Sequence, residues 1–466
     1  MLKGIVLAIS LMLTSASVEA ATTPCTPGCD LQQAINNAQA GDTIVLTAGG
    51  VYKGNFILPS KSGVTITSSA ALPERRMGPA DAPMMPLIGS VTGEAALKVG
   101  SGWTLDGLAF ERNPGGFGNI IEIEGADSVV LKRLYVNIPD PLEQKRFILG
   151  NGTNITLTQS YCSGIMAQYQ DAQCFVAYDG AGPYTITDNF LEAGGENIMF
   201  GGADPSSALK VPSNILVENN FFTKREIWRG QPRGVKNIFE LKAAKGVIVR
   251  NNIFEKNWYD AQQGRAIVIT PRNQNCTASY VVVQDVLFED NIIRDTPVGV
   301  SVLGYDDNCP SMQTTNIIFR RNTVQTTGGQ CFLLMNEVGS MEITANICES
   351  PYFMTLSAEG DIATSSGLRA PLFAVDRLTL YDNQYSGLIH SATALGQAAL
   401  DAYVENLTTS PGGTPPPPPP PPPAPTTDPR LIALEARVDA LVKYLQATPS
   451  NLSKIQQLIS YIRGVK

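Results

Sequence analysis

One asparagine position returns through this chain at intervals of 24 to 39 residues. The segments YTITDNFL, NILVENNFF, GVIVRNNIF, DVLFEDNII, NIIFRRNTV, MEITANIC and LTLYDNQY bring Asn189, Asn220, Asn252, Asn291, Asn322, Asn346 and Asn383 into register. Before each asparagine, apolar and polar side chains alternate, as a strand with one buried face requires. A repeat of this length, with glycine-rich turns between, predicts a solenoid whose coils bury their apolar edges only by stacking. Asparagine tolerates left-handed backbone and its amide can bond the same amide one coil away. The expectation is an asparagine ladder, with the asparagines themselves making the bend.

Leu108, Leu134 and Ser160 carry the register upstream, 26 and 26 residues apart and then 29 before Asn189. A second strand precedes each ladder segment, as in NIIEIEG, RFILGNG, NIFELKA, AIVITPR and CFLLMNE. Alternation points Ile121 with Ile123, Phe147 with Leu149, Phe239 with Leu241, Ile267 with Ile269, and Phe332 with Leu334 inward. Near the start, DLQQAINNAQAGDTIVLTAGGVYKG places Leu31, Ile35 and Ala38 on one helical face and then enters a strand. That helix is expected to cap the solenoid.

The helix followed by GDTIVLTAGGVY resembles the opening of the pectate-lyase-like right-handed parallel β-helix superfamily, and the resemblance covers about Asp30 to Ser386. It implies an all-β fold. It does not imply one activity, because such helices host lyases, hydrolases, esterases, epimerases, phage spikes and adhesins.

The ends differ from this body. Residues 1–20 carry Lys3, an apolar stretch from Gly4 to Leu13 and small residues near Ala20, the pattern of a secretory signal. The apolar run is too short to span a membrane, so a secreted or cell-surface protein is expected. The β-helix domain is placed at 21–409 and a proline-rich linker at 410–429. Within the linker, Pro415 to Pro423 are expected to form a polyproline spacer of roughly 28 Å at about 3.1 Å per residue. A helical tail at 430–466 repeats Leu431, Leu434, Val438, Leu441 and Leu445 at coiled-coil spacing and implies self-association. Eight cysteines in an exported chain suggest four disulfides. Their separations favour Cys25 with Cys29, Cys162 with Cys174, Cys276 with Cys309, and Cys331 with Cys348. The chain holds a single histidine, His390, which argues against zinc and against a serine–histidine triad.

A net charge of −8 offers no basic face for nucleic acid. Basic residues nevertheless gather between Lys224 and Arg272, a candidate groove for an acidic sugar polymer. With Phe239 and Leu241 inward, Glu240 and Lys242 project outward together. The next coil brings Thr270 and Arg272 alongside, and the preceding coil contributes Gly201, Gly202 and Asp204. Tyr178 and Tyr305 flank the group as substrate contacts.

This set suits β-elimination from a uronate. Calcium held by Glu240 and Asp204 would neutralise the sugar carboxylate and acidify the C5 proton. Arg272 and the metal would depress the pKa of Lys242, so that the neutral amine takes the proton. The stretch FELKAAKGVIVRNNIFEKNW is similar to alginate and chondroitin lyase β-helices, and that similarity implies Lys242 as base and Arg272 as acid. The sequence departs from it in reading TPRNQ where an Arg-His-Gly element is typical. The alternative is a non-catalytic carbohydrate-binding or adhesin-type protein, which the spacer and helical tail favour.

Overall fold

The computed structural model describes residues 20–391, apart from 359 and 386. Nearly all of the expected signal, the end of the 21–409 domain, the proline linker and the helical tail lie outside the described residues.

Among the described residues, 23 strands join one sheet and 12 a second. Both sheets are built of parallel pairs, and the one antiparallel pair is the small hairpin of Ile362–Thr364 with Gly367–Arg369. A coil takes three strands: Phe239–Leu241, Ala244–Arg250 and Ile253–Glu255 make one. Arg265–Ile269, Val283–Glu289 and Ile292–Thr296 repeat it, each paired to its counterpart. The long sheet holds the first two strands of every coil. They merge because Asn119–Lys132 and Arg146–Thr158 run through the corner unbroken. The short sheet holds the third strand. This is a parallel β-helix.

The asparagine ladder stands at the bend between second and third strands. The Nδ2 of Asn189 donates to Asn220 Oδ1 at 2.9 Å, Asn220 to Asn252 at 3.0 Å, and Asn252 to Asn291 at 3.0 Å. The chain of amides continues through Asn322 and Asn346 to Asn383. Each Oδ1 also accepts the backbone N–H of the asparagine one coil before, as Asn291 Oδ1 does from Asn252 N at 3.0 Å. Each Nδ2 also reaches a carbonyl of the preceding coil, so Asn252 Nδ2 donates to Val217 O at 2.9 Å. Ser160 extends the ladder, donating its N–H to Asn189 Oδ1 and accepting from Leu134 N.

The left-handed residue, however, is not the ladder asparagine. Asp188, Asn219, Asn251, Asp290, Arg321, Ala345 and Asp382, each immediately before it, carry φ between 53° and 57°. The preceding residue turns the corner, and the asparagine, outside the left-handed region, points its amide inward. Arg321 and Ala345 occupy a conformation costly for L-residues, which shows how strongly the inward amide governs the bend.

The interior is apolar, with Phe222 stacked on Phe254 at 4.5 Å and Phe288 on Phe319 at 4.6 Å. The expected inward pairs lie in this core with one exception. Leu149 packs with Val176, Met199 and Tyr178 in a separate cluster outside it, and Phe147 and Ile148 face the core instead. Two consecutive core residues mark a corner, where strict alternation fails. The helix Leu31–Asn37 is capped by Asp30, whose carboxylate accepts from Gln33 N, and it buries Leu31 and Ile35. Gln32 pairs with both backbone groups of Ile57, satisfying one residue of an edge strand. All four disulfides join the expected cysteines.

Replacing Asn252 with Ala strands the partners of a buried amide and is expected to cost about 1–3 kcal/mol in denaturant unfolding. Ala345→Gly, which relieves a left-handed alanine, is expected to stabilise by up to ~1 kcal/mol. Opposite signs at these two positions test the division of labour between the turning residue and the laddering one.

Candidate functional site

The coil Phe239–Leu241 carries Glu240 outward from the core, as alternation requires, and Lys242 follows it. Both side chains are more enclosed than an exposed strand face implies. Glu240 is 3% exposed, and the Lys242 side chain 15%. Lys242 Nζ lies 3.4 Å from Glu240 Oε2, and the neighbouring Glu196 carboxyl raises the Glu240 pKa further.

Glu196 is fully buried and stands two residues before the preceding strand, Ile198–Phe200. Its Oε2 accepts from Gln173 Nε2 at 2.9 Å. Gln173 Oε1 accepts from Arg146 Nε at 2.9 Å, and Arg146 Nη1 donates to Asn119 Oδ1 at 3.1 Å. Asn119, Arg146 and Gln173 are direct register partners on successive coils. A polar chain therefore crosses several coils, from Asn119 to Lys242, on the outer side of the long sheet. Composition alone does not reveal it. The signal was present in the polar residue that opens each strand of this series, visible once those strands are aligned on one another.

Three lysines surround the acid pair. Lys236 bonds Asp171. Lys224, fully enclosed, donates to the carbonyls of Ala193, Gly194, Gly195 and Asn237. Burial pulls its ammonium down to about 7, against the opposing pull of Glu196, Glu192 and Glu240. Burial likewise pushes the Glu240 carboxyl up to about 7, Lys242 opposing and Glu196 reinforcing the rise. At Lys242, burial works to lower the pKa, but Glu240, Glu196 and Asp171 outweigh it and hold the ammonium above its ordinary value. That direction is the reverse of the one expected of a neutral catalytic base.

Arg272 does lie beside Lys242, its N–H donating to the Lys242 carbonyl at 2.9 Å. Its guanidinium turns to the next coil and engages Asp306 at 2.6 Å and Asp307 at 2.8 Å. Asp204 is used in loop architecture: one oxygen accepts from the backbone of Asn275 and Thr277 and from the Thr277 hydroxyl at 2.6 Å. Among the described residues, no three His, Cys, Asp or Glu side chains converge as metal ligands. Glu240 faces Lys242, and Asp204 serves this loop through one oxygen, so the two carboxylates expected to hold calcium have different protein partners. Tyr178 and Tyr305 follow long-sheet strands four coil steps apart, roughly 19 Å at the usual spacing; Tyr305 sits by Glu337 and Asp376.

The basic cluster from Lys224 to Arg272 does not form an open cationic groove. Arg225 pairs with Glu192, Arg229 with Glu226, Arg233 with Asp140, and Arg250 with Glu218. Lys224 spends its donors on carbonyls. The sequence shows the cations but not the carboxylates that the coils stack beside them.

No family model and no curated protein matches the chain. Solved structures do. The catalytic domain of a GH87 α-1,3-glucanase in complex with tetrasaccharides aligns over 81% of this chain and 66% of its own, at 12% identity and TM-score 0.50. The Streptococcus pneumoniae surface protein and adhesin PfbA aligns over 78% and 94%, at 12% identity and TM-score 0.49. An alginate lyase from Paenibacillus sp. str. FPU-7 aligns over 80% and 98%, at 16% identity and TM-score 0.42. At these identities the likeness is one of fold.

The raised Glu240 carboxyl makes stability depend on pH. Between the ordinary 4.5 and about 7, the unfolded chain releases this proton while the folded protein keeps it. The folded state thus binds more protons in that window, and its stability falls as pH rises. Glu240→Gln retains a neutral donor toward Glu196 and is expected to remove a pH-dependent loss on the order of 2–3 kcal/mol. Urea unfolding at pH 4.5 and 7.5 measures it. An unchanged pH slope in the variant would show that Glu240 ionises normally.

Proposed function

We propose that this chain is an exported polysaccharide-active β-helix protein that holds its polymer by binding, rather than cleaving it by elimination at Lys242 and Arg272. The observation that carries the reading is charge balance. Lys242 is held as an ammonium by the negative charge shared among Glu240, Glu196 and Asp171, and Arg272 is neutralised by Asp306 and Asp307. A base that stays protonated accepts no C5 proton, and paired arginines leave little cationic field for a uronate. A hydroxyl-rich polymer finds fixed donors and acceptors there, with Tyr178 and Tyr305 at either end. The fold shared with a glucanase domain solved with tetrasaccharides supports a carbohydrate ligand. Four disulfides support an oxidising, extracytoplasmic setting. Among the described residues, no helix is long and apolar enough to cross a membrane.

Elimination remains the second reading because Lys242 and Arg272 are adjacent and each keeps some exposure, 15% and 17%. A substrate carboxylate that displaced Glu240 would rearrange this set. Incubation with polygalacturonate, alginate and neutral glycans, with and without calcium, is expected to yield binding and no absorbance from unsaturated product. A calcium-dependent rise in that absorbance, abolished by Lys242→Ala while the β-sheet circular dichroism is unchanged, would establish the lyase instead.

A further inference from the structure

The second strand of each coil turns one residue to solvent between two that fill the core. Between Thr185 on one side and Glu342 on the other, four successive coils place Leu216, Ile248, Leu287 and Ile318 at this outward position. Their sequence neighbours, such as Val247 and Val249 or Val286 and Phe288, lie in the core. The fold itself does not ask for an apolar residue outside, since Thr156 and Thr185 hold the same place in earlier coils. All four aliphatic side chains keep some exposure, Ile248 as much as 40%. A groove of about 390 Å³ runs beside them, edged by Asn214, Asp285 and Asn316 and opened where Gly246 has no side chain.

Two residues further along the same strands the charge alternates. Glu218, Arg250, Glu289 and Arg320 are register partners in that order. Within the chain Arg250 lies 2.8 Å from Glu218, and Arg320 2.8 Å from Glu289. The charged stretch ends where the aliphatic one does, with Thr187 before it and Thr344 after it. In reverse the order is Arg, Glu, Arg, Glu. A two-fold axis along the strand direction, between the coils of Ile248 and Leu287, therefore sets Glu218 opposite Arg320 of a second copy and Arg250 opposite its Glu289. The same operation sets Leu216 against Ile318, Ile248 against Leu287, and the space left by Gly246 against the Asp285 side chain. An axis along the solenoid instead would set Glu289 against Asp285, carboxylate to carboxylate.

We infer that this face is a self-association surface, on which two copies of the chain pack sheet against sheet with their solenoids antiparallel. A two-fold interface must be complementary to itself, and the alternation of Glu218, Arg250, Glu289 and Arg320 meets that condition. The aliphatic file supplies the burial, while the charged row sets partner and orientation more than affinity. Six strands at ~4.8 Å and five residues at ~3.3 Å give a face of roughly 29 by 17 Å, about 500 Å² per copy and 1,000 Å² in all, the low end of specific interfaces. The dimer is therefore a reversible one. The face belongs to the second strand of each coil, whereas Glu240 stands on the first and Lys242 follows it. Dimerisation leaves that region open, and the inference does not rest on the function proposed above.

Sedimentation velocity of the full chain between about 1 and 100 µM, the range suited to a small reversible interface, is expected to show a monomer–dimer equilibrium. Ile248→Lys is expected to weaken it about tenfold or more. Ile347→Lys is the matched control, an isoleucine of the short sheet with 39% exposure, and is expected to leave dimerisation unchanged. Arg250→Glu and Glu289→Arg each set like charges across the axis, and each alone is expected to weaken association by a similar factor. Mixed in equal amounts, these two variants are expected to associate again, because each altered residue then faces its opposite. Circular dichroism checks that every variant keeps its β-sheet; if Glu289→Arg does not, the two isoleucine variants carry the test. A monomer at every concentration, equal weakening by Ile347→Lys, or a dimer indifferent to Ile248→Lys and Arg250→Glu would overturn the surface. Folded charge variants that fail to associate when mixed would overturn the antiparallel pairing.

Discussion

Everything in this molecule hangs on the alignment of one buried amide per coil. The inward asparagine satisfies the backbone N–H of the previous coil, a carbonyl of that coil, and the next amide in the file. A slip of one residue in any coil breaks all three and turns a strand inside out. The ladder is therefore a register device as much as a source of stability. It also dictates the outer surface, because the next residue must face solvent. Phe190 and Phe221 stand in line because Asn189 and Asn220 do.

The long sheet shows the opposite use of stacking. There the coils bring ionisable groups together rather than identical amides, and the outcome is governed by desolvation. Glu240 is enclosed and faces Glu196, so it tends to keep its proton. Lys242 answers the remaining negative charge. Such a network stabilises particular protonation states instead of poising a reactive amine, and this separates the Glu240–Lys242 pair from the neutral base that strand alternation suggested.

Much of the architecture was legible beforehand. The asparagine register, the paired strand series, the cysteine pairing and the short helix before the first coils all appear in the structure, because each depends on local pattern or on a repeat that counts itself. The misreadings came where a corner interrupts alternation, as at Leu149, and where the bend was assigned to the asparagine instead of Asp188, Asn219 or Ala345. Periodicity counts residues; it does not say which of two neighbours takes the positive φ.

The sequence by itself determined that this chain winds into stacked parallel coils and which residues share a file, since the apolar alternation and the recurring asparagine have no other consistent burial. Only the tertiary structure decided the chemistry of those files. Lys242 is pinned as an ammonium by Glu240 beside it and further by Glu196, 46 residues earlier, and whether Arg272 is free depends on Asp306, 34 residues later. The energy of a charge is set by neighbours across coils and by how much water they exclude. Neither quantity is carried by the strand in which the charged residue is written.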